Sequence, residues 1–283
     1  QRQMCIRDRI GMVIFYSYVI TKNYDNMRYF LRGMLPMLLA LLVPAALLIK
    51  EPHISATALI VMTCIILIFV GGVNLKQFLL IGIIGAAGAL LVVSIMSRNY
   101  DYIQKRIQSW VDPFADSQGN TWQTCQSLIA IGSGGLFGLG LGESRQKYLY
   151  LPETKNDFVF SIVCEELGLV GALTVVLLFT LLVIRGFYIA MRAKDKFGML
   201  MAIGLTSHIG LQAFFNIAVV SNLIPNTGIS LPFFSYGGTA LILQLAEMGI
   251  VLNISRVRYQ SPQRVPAAER APQAEVQLQG GNA

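Results

Sequence analysis

Acidic residues stand where a long polar stretch of the sequence meets an apolar segment. Asp157 immediately precedes the apolar run that begins at Phe158, and Glu165 and Glu166 follow inside that run. A carboxylate at the lip of an apolar region is harder to ionise than one in water, which suits a general base that works near neutral pH. The same position also suits the N-cap of the following helix. The residue types alone therefore leave both roles open for Asp157.

The two adjacent glutamates are a second candidate. Ionisable residues inside a membrane are costly and usually face a partner or a wet cavity. At 100° per residue, Asp157, Ser161 and Glu165 would form one stripe along a helix, which favours a shared site. The alternative is that Glu165 or Glu166 pairs with a buried Arg or Lys and locks the helices together.

A glycine-rich run precedes these acids in the same polar stretch. Its backbone amides could cradle a phosphate, although no Gly-Lys-Ser/Thr follows, so a nucleotide P-loop is excluded. Close helix packing or a re-entrant turn is the alternative use. Nearby cations could bind phosphate oxygens or face lipid headgroups. The glycines are Gly132, Gly134, Gly135, Gly138, Gly140 and Gly142, and the cations are Lys105, Arg106, Arg145 and Lys147.

The composition places this chemistry in a membrane protein. Of 283 residues, 54% are hydrophobic and only 13% are charged, too few to cover the surface of a soluble domain. The net charge of +7 is better explained by basic cytoplasmic loops than by nucleic-acid binding. No CxxC pair or His/Cys spacing indicates a zinc site, and isolated His53 and His208 fit structural hydrogen bonding.

Apolar runs predict an all-α polytopic transmembrane helix bundle with about six complete spans and one partial span. The positive-inside rule places the long loop 97–157 on the extracytoplasmic side. The partial span is Ile10–Ile20, and the complete spans are Met34–Ile49, Ala56–Val73, Phe78–Met96, Phe158–Met191, Met199–Leu223 and Ile229–Ile254. Pro and Gly residues within 225–241 predict a broken helix that forms a cavity wall.

The organisation along the chain follows from these spans. Residues 1–9 look like translated sequencing adapter rather than native protein, and we exclude them from the fold. Residues 10–260 form the membrane domain. The tail 261–283 is poor in large apolar side chains and is predicted to be disordered and cytoplasmic.

Three long motifs make the resemblance specific: RIQSWVDPFAD, the run from WQTCQSL to EELGLVGA, and NLIPNTGISLPFFSYGG. Together they resemble the SEDS (shape, elongation, division and sporulation) family of FtsW/SpoVE/RodA-like peptidoglycan glycosyltransferases. The resemblance implies a ten-span, inverting enzyme that polymerises lipid II at the outer face of the bacterial cytoplasmic membrane. The family's essential acidic residue carries over to Asp157, as the base. The implied substrate-binding residues are Arg106, Arg145, Gln146, Lys147, Glu165, Gly134, Gly135 and Ser235.

The resemblance also implies partners and cofactors. A class B penicillin-binding protein and other divisome or elongasome membrane proteins are expected partners, with no nucleic acid. A divalent cation, Mg²⁺ or Mn²⁺, is a candidate aid to the departing diphosphate, with no organic cofactor. The family's earlier spans are absent from this sequence, so an inactive chain is one expectation. A lipid II transporter and a non-catalytic scaffold for the penicillin-binding protein are the competing functions.

Overall fold

The fold is known from a computed structural model that describes residues 2–50, 54–80, 82, 83, 85, 88, 107–115, 119, 121–146 and 156–257. Within these ranges there is no β-strand. Short 3₁₀ and π turns at Tyr24–Asn26 and Phe30–Met34 lie between the first two helices. The α-helices with defined bounds are α1 (Arg2–Lys22), α2 (Leu35–Lys50), α3 (Ile54–Val70), α4 (Trp122–Ser133), α5 (Val159–Met191), α6 (Lys196–Val220) and α7 (Gly238–Val257).

The predicted polytopic helix bundle is confirmed. Among the described residues, four helical stretches are long and apolar enough to cross a membrane, and the apolar Ser55–Val70 is shorter. The four are Phe30–Leu47, Val159–Met191, Lys196–Val220 and Gly238–Arg256. Most of the predicted span Phe78–Met96 lies outside the described residues. The proposed disordered tail also lies there, so both expectations stay predictions.

The predicted start of the last span is wrong. The last span begins at Gly238 rather than Ile229, because Pro232 and the positive φ angles of Gly228 (69°) and Phe233 (63°) are incompatible with a continuing helix. The partial span Ile10–Ile20 is the apolar part of the longer α1. Neither glycine nor proline interrupts the sequence between Arg2 and Ile10, so nothing in it stops a helix there.

Helix α6 is the axis of the bundle. Its most apolar 18-residue window is 72% buried, against 17–22% for the other three spanning stretches, so most of the other helices pack around it. Leu205 of α6, Tyr16 of α1 and Leu67 of α3 are all fully buried in one apolar core. The Tyr16 hydroxyl donates to the Met37 carbonyl at 2.8 Å. This core fixes α6 as the rigid element on which polar side chains can be positioned.

Basic residues gather at one end of the bundle, which we call the basic end. Lys196 at the start of α6 lies 3.3 Å from the ring centroid of Tyr24, which follows α1. Helix α7 returns to this end, because its Ile254 packs beside the cluster of Ala190 and Ala202. The opposite end, where α6 finishes at Val220, is called the Val220 end. Ser127 of α4 donates to the Val220 carbonyl at 2.9 Å, so the described helix of the long loop docks there.

Helix α5 is broken at Gly168. This residue has φ 66° and ψ −164° inside an otherwise helical run, a conformation open essentially to glycine alone. The 23 residues 169–191 are about 34 Å long and can cross the hydrocarbon by themselves. The preceding Val159–Leu167 stretch is therefore a separate half-helix.

The half-helix turns back toward the basic end. A Cβ on Gly186 would lie 2.3 Å from Thr206 Oγ1, and one on Gly210 would lie 2.8 Å from Val183 Cγ2, so α5 and α6 are antiparallel. Extending this register places Asn216 beside a position near residue 177 of α5. A straight α5 would carry Asp157 about 30 Å beyond that level.

Contacts at the N-terminal end of the half-helix show the reversal directly. The Asn216 side chain donates to the Asp157 carbonyl at 2.7 Å. Phe158 and Phe160 share one buried cluster with Val175 and Phe179. The chain therefore doubles back at Gly168, and Asp157 lies beside Asn216, four residues before the end of α6.

The glycine run packs against the break in α5 and stabilises this reversal through backbone hydrogen bonds. Leu139 N–H donates to the Glu165 carbonyl at 3.0 Å, and Leu169 N–H donates to the Gly135 carbonyl at 3.0 Å. A Cβ on Gly134 would lie 2.0 Å from the Cys164 carbonyl oxygen, and one on Gly138 would lie 2.1 Å from that of Glu166. The loop backbone thus satisfies carbonyl groups that the break in α5 leaves without helical partners.

Replacing Gly168 tests the break. In Gly168→Ala the new Cβ would lie 2.3 Å from Gly138 N and 2.6 Å from the Leu136 carbonyl oxygen. We expect a loss of about 3 kcal/mol or more in stability, from overlap and a left-handed backbone combined. Thermal unfolding of the purified protein in detergent measures the loss.

Gly249→Ala in α7 is the matched control, because nothing lies within 4 Å of its added Cβ. Alanine is favoured over glycine in a helix, so this variant is expected to melt at or slightly above the wild-type temperature. Equal melting temperatures for the two variants would show that α5 is not broken at Gly168.

Candidate functional site

Asp157 lies in a buried position at the Val220 end of the bundle. Its exposed fraction is 7%, and a Cβ on Gly228 would be 3.5 Å from its Oδ2 atom. The N-cap of α5 is Phe158, so Asp157 stands one residue before the capping position that the sequence left open for it. From Lys196 to Asn216 the axial distance along α6 is about 30 Å, the thickness of the hydrocarbon layer. Asp157 therefore lies at its boundary.

The segment between α6 and α7 covers Asp157 from one side. Ser235 Oγ donates to the Asn156 carbonyl at 2.5 Å, and the rings of Phe179 and Phe234 are 6.1 Å apart. Gly228, with φ 69°, brings its backbone to the Asp157 carboxylate without a side chain between them. The proline- and glycine-rich stretch that was predicted to be a cavity wall forms this cover.

Amide side chains of the spanning helices hold the cover in place. Asn216 Nδ2 donates to the Ile229 carbonyl at 2.6 Å, and Gln212 Nε2 donates to the Ser230 carbonyl at 2.9 Å. From α7, Gln244 Oε1 accepts from the Phe233 N–H at 2.9 Å. Non-helical backbone at this depth is tolerated only where such partners exist.

Glu165 fastens the glycine loop to the half-helix. Its carboxylate, 1% exposed, accepts from Ser144 Oγ at 2.5 Å and from the Arg145 backbone N–H at 3.1 Å. The alternative of a buried Arg or Lys side chain as partner is therefore wrong for Glu165 within the described residues, and it stays a prediction for Glu166. The stripe of Asp157, Ser161 and Glu165 is also wrong, because Asp157 precedes the helix. Since the half-helix doubles back, Asp157 is the deeper of the two carboxylates and Glu165 lies nearer the Val220 end.

The structure divides the predicted site residues into two groups. Asp157 and Ser235 meet through the Asn156 carbonyl. Glu165, Gly134 and the Arg145 backbone meet at the glycine loop, where Gly134 has a packing role. Gly135 and the Arg145 side chain are exposed, and Gln146 is half-buried. Arg106 and Lys147, with Lys105, lie outside the described residues, so their diphosphate contacts stay predictions.

Three amides that hold the cover in place were not predicted from the sequence. Gln212 and Asn216 are one helical turn apart on α6, and both are at most 2% exposed. Together with Gln244 they are the amides that bind the 229–233 backbone. The signal was present in the sequence, since an apolar span that carries amides four residues apart presents them on one face.

His208 and the cysteines have structural roles in the described part of the chain. His208 Nδ1 lies 3.2 Å from Glu247 Oε2, with both residues buried, so the predicted hydrogen-bonding histidine is confirmed. Cys125 in α4 is a free, buried thiol, and burial raises its pKa, as expected for a small packing residue. The position of His53 lies outside the described residues.

Among the residues that the structure describes, no group of three His, Cys, Asp or Glu side chains could hold a metal ion. The divalent cation that the resemblance implies stays a prediction.

The sequence matches a known protein family and several of its members. The FtsW/RodA/SpoVE "Cell cycle protein" family model matches residues 8–260. The stage V sporulation protein E of Bacillus subtilis is 42% identical over 248 residues, covering 88% of this chain and 67% of that protein. A probable peptidoglycan glycosyltransferase FtsW of Geobacter sulfurreducens is 37% identical, covering 87% of this chain and 65% of that protein. The chain thus spans about two-thirds of the length of these relatives.

Solved structures share the fold. A chain from the study "Structural coordination of polymerization and crosslinking by a peptidoglycan synthase complex" aligns with TM-score 0.72 and 26% identity, covering 91% of this chain and 70% of that one. The rod shape determining protein RodA of Thermus thermophilus aligns with TM-score 0.59 and 26% identity, covering 91% of this chain and 66% of that one. This chain, a multi-pass membrane protein, belongs to the FtsW/RodA/SpoVE family of cell cycle proteins.

Proposed function

We propose that the protein is a peptidoglycan glycosyltransferase that polymerises lipid II into glycan strands, with Asp157 as its general base. The observation that carries the proposal is a carboxylate buried at the hydrocarbon boundary, at the end of the bundle opposite the basic residues. The names of the relatives support the activity: several are called probable peptidoglycan glycosyltransferases.

The location of Asp157 suits a substrate whose polar headgroup is linked to a lipid chain. Lipid II carries its sugars on a diphosphate whose lipid chain stays in the membrane, so its reacting atoms lie at the headgroup level. A base at the hydrocarbon boundary reaches that level without entering the apolar layer. Because Lys and Arg side chains favour the cytoplasmic side, the basic end is assigned to the cytoplasm. The Asp157 site then faces the outer side.

In the proposed reaction Asp157 has one task, which is to accept a proton. The acceptor's 4-hydroxyl loses its proton as its oxygen attacks the donor's anomeric carbon, and the lipid diphosphate leaves with the bonding electrons. Direct displacement from an α-linked donor gives a β link, which requires one base and no covalent intermediate. Arg106 and Lys147 are proposed to offset the charge of the leaving diphosphate. The exposed backbone of Gly135 is proposed to approach it.

Loss of the base is the primary test. In the full-length protein, purified with its transpeptidase partner, Asp157→Asn is expected to lower glycan synthesis from lipid II by about 100-fold or more. Gel analysis of the products measures the chains. Glu143→Gln, an exposed acid of the glycine loop, is the matched control and is expected to polymerise normally.

The outcomes of this test separate the competing functions. Normal polymerisation by Asp157→Asn would refute the assigned base. A wild-type protein that moves lipid II across liposomes without making polymer would favour the transporter. In either case the proposal of a polymerase acting through Asp157 fails.

A class B penicillin-binding protein is the proposed partner. The structural neighbour from a synthase complex in which polymerisation and crosslinking are coordinated supports this assignment. Asp157→Asn is expected to co-purify with the transpeptidase as wild type does and yet fail to support growth, because the buried change leaves the outer surface intact. If it binds its partner and also supports growth, the protein acts as a scaffold.

A further inference from the structure

Asn216 makes an unusual pair of hydrogen bonds. Its Nδ2 atom donates to the Asp157 carbonyl at 2.7 Å and to the Ile229 carbonyl at 2.6 Å, while the residue itself is fully buried. Both N–H groups of one amide are therefore used on two chain segments that are far apart in sequence. One segment carries the proposed base, and the other forms the cover beside its carboxylate.

The carbonyl of Asp157 needs such an anchor. Asp157 precedes the N-cap of α5, so its position depends on the half-helix, which joins the rest of α5 only through the break at Gly168. Gly228, whose added Cβ would lie 3.5 Å from Asp157 Oδ2, is next to Ile229 in the chain. An amide on the rigid axis of the bundle thus ties the Asp157 segment to its cover, in addition to the hydrogen bond from Ser235 to the Asn156 carbonyl.

Asn216 is placed for its donors rather than for its acceptor. Its Oδ1 atom is buried without a hydrogen-bond partner among the described residues, whereas both N–H groups are used. An apolar side chain at this position would leave the Asp157 and Ile229 carbonyls without these donors.

The hydrogen bonds of Gln212 differ from those of Asn216. It lies one turn earlier on the same helix face and donates to the Ser230 carbonyl at 2.9 Å and to Ser230 Oγ at 3.5 Å. Its hydrogen bonds to the described residues therefore hold the cover but not Asp157. Both amides hold the cover, but of the two only Asn216 also bonds the Asp157 carbonyl.

We propose that Asn216 is a positioning residue for Asp157, holding the backbone of the base in line with the reacting hydroxyl through its Nδ2–H donors. This inference rests on the proposed function. Small displacements of a catalytic group lower the rate of the chemical step more than substrate binding. The expected signature is therefore a loss in kcat at nearly constant KM.

The experiment compares two matched pairs of variants in the full-length protein with its transpeptidase partner. Asn216→Asp and Gln212→Glu each replace an amide by a carboxylate of the same shape, which has no donor when ionised. Asn216→Leu and Gln212→Leu serve where a buried carboxylate prevents folding. Melting temperatures and lipid II polymerisation kinetics are measured for all four.

We expect both Asn216 variants to lose about tenfold to 100-fold in kcat with KM within about twofold of wild type. Both Gln212 variants are expected to keep kcat within about twofold, whatever their melting temperature. In the Asp157→Asn background, Asn216→Leu is expected to cause no further loss, because a positioning residue has nothing left to position.

Three results would overturn the inference: normal kcat in a folded Asn216→Leu protein, an equal loss of kcat in Gln212→Leu, or an additive loss in the double variant. If Asp157→Asn is inactive and any of these occurs, the positioning role alone fails. If Asp157→Asn polymerises normally, the proposed base fails and the role of Asn216 fails with it.

Discussion

The reversal of the chain at Gly168 determines where the carboxylate of Asp157 lies. A continuous α5 would be about 50 Å long and would carry Asp157 far from the bundle into water. The left-handed backbone of Gly168 (φ 66°) instead returns the half-helix to the side of α6. The glycine loop stabilises this geometry, because its peptide groups bond the carbonyls of Glu165 and Glu166. The carboxylate of Glu165 in turn holds Ser144 and the Arg145 backbone.

Backbone hydrogen bonding explains why the buried polar residues are placed as they are. A broken helix and an irregular cover at the edge of a membrane both leave peptide groups that water cannot reach. Asn216, Gln212 and Gln244 supply the missing partners from the two helices that frame the cover. Of these three amides, Asn216 also bonds the Asp157 carbonyl. Stability and the proposed chemistry are therefore coupled through Asn216.

Much of the fold follows from the sequence. The apolar runs around α2, α3, α5 and α6 predict helices close to those found, because hydropathy alone identifies a span. The place of Asp157 beside an apolar run makes it a candidate, and the resemblance carried by the long motifs implies its role. The break at Gly168 was not predicted, because a glycine inside an apolar run looks like ordinary helix packing. The break depends on the glycine loop, whose Gly134 and Gly138 allow its backbone to approach that of α5 closely.

The depth of Glu165 relative to Asp157 is also not predictable from a straight helix. Counting along a straight helix places Glu165 deeper than Asp157, and the reversal inverts that order. The amides of α6 are neutral, so they carry no charge signal in the sequence, yet irregular buried backbone needs neutral donors of this kind.

The return of the half-helix is tested most directly by cross-linking Asn156→Cys to Ser235→Cys with a short bifunctional thiol reagent, in a protein whose native cysteines are replaced. Ser235 Oγ and the Asn156 carbonyl oxygen are 2.5 Å apart, so the two residues are neighbours and the reagent is expected to link them in high yield. In a protein with a straight α5 these positions would be about 30 Å apart. Absence of the cross-link in folded protein would contradict the reversal at Gly168 and the location of Asp157 that depends on it.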